Sequence, residues 1–126
     1  MGLTYLPNGL GTDYDGILHA EIVDISTAAS SWTAALPFDV EIVGAYVTQE
    51  TAVTVASAEV TFEIDGVAIT SMAVTVATGG AAGDAFAAVA PTGAYSLTAG
   101  TAIEVITDGA STTASKGIVG IAYKRV

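Results

Sequence analysis

Ala94-Tyr95-Ser96-Leu97-Thr98-Ala99-Gly100-Thr101-Ala102-Ile103-Glu104-Val105-Ile106-Thr107-Asp108-Gly109, followed at residues 117–126 by Gly117-Ile118-Val119-Gly120-Ile121-Ala122-Tyr123-Lys124-Arg125-Val126, is the stretch that decides the architecture. It reads as strand, turn, strand, polar loop and closing strand. Ala99-Gly100 is a turn signal, because glycine reaches positive φ at little cost. Beyond it Ile103, Val105 and Thr107 share one face, and Glu104 and Ile106 the other. Asp108-Gly109 breaks the strand, and residues 110–116 form a loop of small polar residues. In the closing strand Val119, Ile121 and Tyr123 share one face, while Ile118, Gly120 and Ala122 make the opposite face equally uncharged. A strand with two uncharged faces is either central in a sandwich or packed against another subunit.

Upstream, the same two-residue period recurs. Residues 17–25 make a first strand, Trp32 opens a short second one, and Phe38, Val40 and Ile42 alternate with Asp39 and Glu41. Gly44 marks a bulge or a close backbone approach. Ala58, Val60, Phe62 and Ile64 alternate with Glu59, Thr61 and Glu63, and Asp65-Gly66 is a type I′ hairpin signal. On the return, Val67 and Ile69 are out of phase with Met72, Val74 and Val76, which implies a bulge near Thr70-Ser71. Residues 51–57 carry a weak pattern, residues 77–83 a small-residue loop, and residues 84–90 a further short strand. About eight strands at roughly ten-residue spacing, with no helical period, predict an antiparallel β-sandwich, jelly roll or immunoglobulin-like. With no cysteine to frame a core tryptophan, the jelly roll is the preferred expectation.

Residues 1–16 fit neither period. Pro7 and the glycines Gly2, Gly9, Gly11 and Gly16 oppose a helix, yet Leu3, Tyr5, Leu6, Leu10 and Tyr14 are too apolar for a solvated tail. The expectation is an extended N-terminal arm over residues 1–16, lying on its own domain or on a neighbour, and one sandwich domain over residues 17–126.

The 126 residues carry 13 acids against three bases, a net charge of −10, with 52% hydrophobic residues and no cysteine. That balance repels phosphate backbones and anionic bilayers, so no nucleic-acid and no membrane partner is expected. There is no apolar run of membrane-spanning length, and the first residues lack the basic region of a secretory signal, so a soluble chain with no visible export signal is the expectation. Sixteen charged side chains spread over the roughly 6,000 Å² of such a chain leave most of its surface to Ala, Thr, Val, Ser and Gly. Such a surface is either passive or buried in an assembly.

Catalytic and ligand-binding readings find little support. His19, the single histidine, has no nucleophile or carboxylate placed beside it by the sequence. Asp13-Tyr14-Asp15-Gly16 resembles the opening of a calcium loop, but Thr12 and Ile17 do not continue it and no distal Glu follows. The pairs Glu59 with Glu63 and Asp39 with Glu41 each fall on the solvent face of a single strand, unlike the facing carboxylates of a glycosidase. Gly79, Gly80 and Gly83 lack the Lys-Ser/Thr of a phosphate loop. Trp32, Tyr46 and Tyr95 fit either core packing or a sugar-stacking platform. The chain is therefore expected not to be an enzyme and to hold no cofactor or metal.

The run Leu97-Thr98-Ala99-Gly100-Thr101-Ala102-Ile103-Glu104-Val105-Ile106-Thr107-Asp108-Gly109, with its glycine-started closing strand, resembles small virion proteins of tailed bacteriophages. So does Pro37-Phe38-Asp39-Val40-Glu41-Ile42-Val43-Gly44-Ala45-Tyr46-Val47. The resemblance spans residues 37–126 and rests on turn and strand residues. It implies a capsid decoration (cement) protein: a homotrimer on the exterior of the virion, with the major capsid protein as partner. Leu3, Tyr5, Leu6, Leu10, Tyr14, Ile118 and Ala122 are the expected interface residues. The competing expectation is a carbohydrate- or receptor-binding module of a fibre or tail.

Overall fold

In the computed structural model, residues 14–22, 24–25, 31–88, 90–93, 95–109 and 115–126 are described. They form strands β1 (Gly16–Ile22), β2 (Ser31–Ala35), β3 (Val40–Gln49), β4 (Ala58–Ile64), β5 (Val67–Val76), β6 (Ala85–Ala87), β7 (Ser96–Leu97), β8 (Ala102–Thr107) and β9 (Gly117–Arg125). The protein is an all-β sandwich of two antiparallel sheets. One runs β1-β9-β3-β6, with β7 also on β3; the other runs β2-β8-β4-β5. The first strand pairs with the last, the second with β8, the third with β6 and β7, and the fourth with the fifth.

The two-residue period decides what is buried. In β4, Ala58, Val60, Phe62 and Ile64 point inward; in β8, Ile103, Val105 and Thr107 do. They meet Val40, Ile42, Ala45, Val47, Val119 and Ile121 from the other sheet. The core is aliphatic: Phe62 is the one aromatic among its largest fully buried side chains. Both expected irregularities are present. The β3–β9 register shifts between Ile42 and Gly44. The β4–β5 register shifts between Thr61 and Glu63, opposite a β5 segment in which Ser71 has φ 67°. There Thr70 leaves β4 and bridges Gly93. Asp65 (φ 51°) and Gly66 (φ 77°) supply the two positive φ angles of a type I′ turn.

Some expectations shift in detail. β1 starts at Gly16, inside the expected arm, and β3 starts at Val40, leaving Phe38 in the preceding bend. Val67 is exposed at the hairpin tip, whereas Ile69 turns inward. Residues 1–13, and with them Leu3, Tyr5, Leu6 and Leu10, lie outside the described residues.

The entry to β1 and the end of β9 are tied together. Asp15 N–H donates to Tyr123 O at 2.8 Å, and Arg125 N–H donates to the Asp15 carboxylate at 2.8 Å. The Arg125 guanidinium stands 4.1 Å from the Phe38 ring centroid, and Phe38 packs on Tyr123 with centroids 6.0 Å apart. These contacts close the core at this end with apolar ring faces and a cation–π contact.

Candidate interaction face

β9 lies between β1 and β3, so its inner residues Val119 and Ile121 reach the core and its outer residues form the centre of an exposed sheet face. The register aligns that face in rows. His19, Gly120, Tyr46 and Ala87 form one row across β1, β9, β3 and β6. Ile17, Ala122 and Gly44 form the row on one side, and Glu21, Ile118, Thr48 and Ala85 the row on the other.

The central row has a specific geometry. Strands β1 and β3 lie two sheet spacings apart, roughly 10 Å. Tyr46 crosses that distance over Gly120, and its hydroxyl lies 3.1 Å from His19 Nε2. The two rings meet edge to face, 6.4 Å apart at 77°. Glycine at 120 is what lets the tyrosine lie across the strand. The sequence placed Gly120 on this face but not the residues that use the gap, because they belong to strands 27 positions apart in the chain.

Charge is confined to the two ends of the face. At one end Lys116 Nζ stands 3.8 Å from the Glu21 carboxylate. At the other, Lys124 is in register with Glu41, and Asp15 precedes β1 beside them. Between these ends the face offers Ile17, His19, Tyr46, Thr48, Ala85, Ala87 and Ile118. Ala122 lies on this face but is 0% exposed in the single chain, closely packed beside Ile17 and Gly44. Any contact made here therefore falls on its neighbours. Tyr14 is half-buried just before β1.

The outer face of the other sheet is different. Glu63 and Glu104 are directly opposed on β4 and β8. Next to Thr107, Asp108 accepts a hydrogen bond from Glu59 N–H at 3.1 Å and donates its own N–H to Glu59 O. This face thus carries four carboxylates, and all three bases of the chain sit in or next to β9 in the opposite sheet.

The remaining sequence candidates are placed apart. Trp32 is in register with Val105 and packs against the core, whereas Tyr46 is on the outside of the other sheet. Tyr95 also packs against the core, its carbonyl accepting from Ile42 N–H. Tyr46 therefore shares no surface with the other two. Asp39 lies just before β3 rather than on it, its carboxylate accepting from Ala99 N–H at 2.8 Å. Among the described residues no group of three or more His, Asp or Glu side chains is arranged to hold a metal ion. His19 has Tyr46 as its hydrogen-bond partner. Among the described residues no helix is long and apolar enough to cross a membrane.

Comparison with known protein families, with curated proteins and with solved structures gives no match.

Proposed function

We propose that this chain is a structural virion protein that binds the outer surface of a bacteriophage capsid as a homotrimer and stabilises the shell. In this reading the interleaved strand order, β1-β9-β3-β6 against β2-β8-β4-β5, is that of a jelly roll. The observation that carries the reading is the contrast between the two outer faces. One has an uncharged centre with charges at both ends, the distribution of a protein contact surface. The other is acidic and suited to solvent. The partners are the major capsid protein and other copies of this chain, and the location is the capsid exterior.

The glycan-binding alternative loses its platform, since Trp32 packs inward and away from Tyr46. The decisive experiment is mass spectrometry and electron cryomicroscopy of purified virions of the phage that carries this sequence. The expected result is added density on the outer shell, in copy numbers divisible by three. Absence of the chain from the virion overturns the reading.

A further inference from the structure

We infer that the outer face of the β1-β9-β3-β6 sheet is the self-association surface, and that its occupant is a second copy of this chain. The inference deepens the assembly reading and rests on its self-association half, not on the capsid.

Two copies of a chain with net charge −10 repel each other over most of their surface. The β2-β8-β4-β5 face, with Glu59, Glu63, Glu104 and Asp108, opposes approach by another copy most strongly. The β9-centred face is the exception. Its carboxylates Asp15, Glu21 and Glu41, with Glu50 beside Lys116, are offset in part by Lys116 and Lys124, so it is less acidic than the opposite face, which carries no base. Its opposite charges at each end allow a second copy to place carboxylate against ammonium in place of like against like. No described strand lies across it. Its core row is also pre-ordered: the His19–Tyr46 bond fixes both rings before any partner arrives, which lowers the ordering cost of contact.

Size sets the strength. Four strands at their normal spacing and about seven residues of length give roughly 400 Å² a side, below the ~800 Å² per partner of a standard stable pair. Association through this face is therefore concentration-dependent. Because the chain as a whole is strongly acidic and this face offsets only part of its own negative charge, salt screens repulsion and strengthens the contact.

The test is sedimentation velocity of the full chain from about 1 μM to 1 mM, at 0.02 and 0.5 M NaCl, a range chosen for the weak contact that this area implies. Above-monomer mass at the upper concentrations, with association several-fold tighter at high salt, is expected. Ala87→Glu places a charge in the central row and is expected to return the chain to monomer. Thr48→Glu, on β3 of the same face, is expected to do the same. Ala73→Glu, on β5 of the acidic sheet, is expected to leave association unchanged. Circular dichroism melts establish that each variant is folded. A monomer at 1 mM, weaker association at high salt, or undiminished association in both folded face variants overturns the inference. Absence of the chain from virions would overturn the capsid reading and leave this result standing.

Discussion

The Tyr46 ring occupies the space that a side chain at Gly120 would need. A Cβ built on Gly120 comes to 2.8 Å from Tyr46 Oη and closer still to two ring carbons. The ring is held there by its bond to His19. Gly120→Ala must either push the ring off the strand or strain the sheet. We expect a loss of about 1–3 kcal/mol in urea unfolding. Tyr46→Ala in the same chain should recover part of it, since the clash is then gone. Additive losses in the double-mutant cycle would show that the two positions do not compete for one space.

Gly16 and Tyr123 repeat the arrangement on the inner side of the sheet, with different consequences. A Cβ on Gly16 meets Tyr123 Cε2 at 3.0 Å and lies nearer the phenol end of the ring. Tyr123 also packs against Phe38, and backbone bonds through Asp15 tie the start of β1 to β9. Its ring has less freedom to swing away than that of Tyr46. Gly16→Ala should therefore cost more than Gly120→Ala, at or above the ~3 kcal/mol end of overpacking losses. Thermal melts of the two variants side by side check the order.

The strands and their inner residues were legible because burial follows a two-residue period that the sequence displays. Val60, Phe62 and Ile64 against Glu59 and Glu63 needed no knowledge of partners. The bulge near Ser71 was legible for a related reason: an extra residue shifts the phase of every apolar residue after it, whereas at Gly44 the glycine itself signalled either a bulge or a close backbone approach. The site was not legible in the same way. His19, Gly120 and Tyr46 become neighbours only once the first strand pairs with the last and the last with the third. Nothing local to any of the three encodes that order. The same holds for Glu63 and Glu104, each of which reads as an ordinary outward position on its own strand.

The opposition of Glu63 and Glu104 is a local conflict in the sheet. Like charges facing each other on adjacent strands destabilise the pair, and none of the three bases lies in these strands. Glu104→Gln is expected to stabilise the fold by about 0.2–1 kcal/mol at low salt. The gain should shrink as salt is added, because the repulsion it removes is screened. Glu104→Lys should gain at least as much by pairing with Glu63. Unfolding free energies at 0.02 and 0.5 M NaCl measure both. An unchanged stability in the lysine variant would mean that the two carboxylates do not feel each other across the strands.

Gln49 ends β3 with its side chain inside the sandwich, and its amide is only half satisfied. It is 0% exposed; its Nε2 donates to Ala81 O at 2.8 Å, while Oε1 has no hydrogen-bond partner. Its backbone holds the same loop, donating to Asp84 O and accepting from Gly83 N–H. Gly80 packs so closely that a Cβ there would stand 2.6 Å from Nε2. A buried acceptor without a donor is costly, and an ordered water is the usual remedy. A crystal structure is expected to show one within about 3 Å of Oε1. Gln49→Glu tests the burial directly. It removes the donor to Ala81 and places a carboxylate where solvent does not reach, so a loss of about 3 kcal/mol or more is expected at neutral pH. Burial raises a carboxyl group's folded pKa above its unfolded value of about 4.3. Below that unfolded value the group is protonated in both states and the ionisation penalty vanishes. The penalty grows as pH rises towards the folded pKa and is complete above it. The variant's deficit relative to the parent should therefore narrow on acidification. A deficit that stays constant between pH 4 and pH 7 would mean that the introduced carboxylate reaches water.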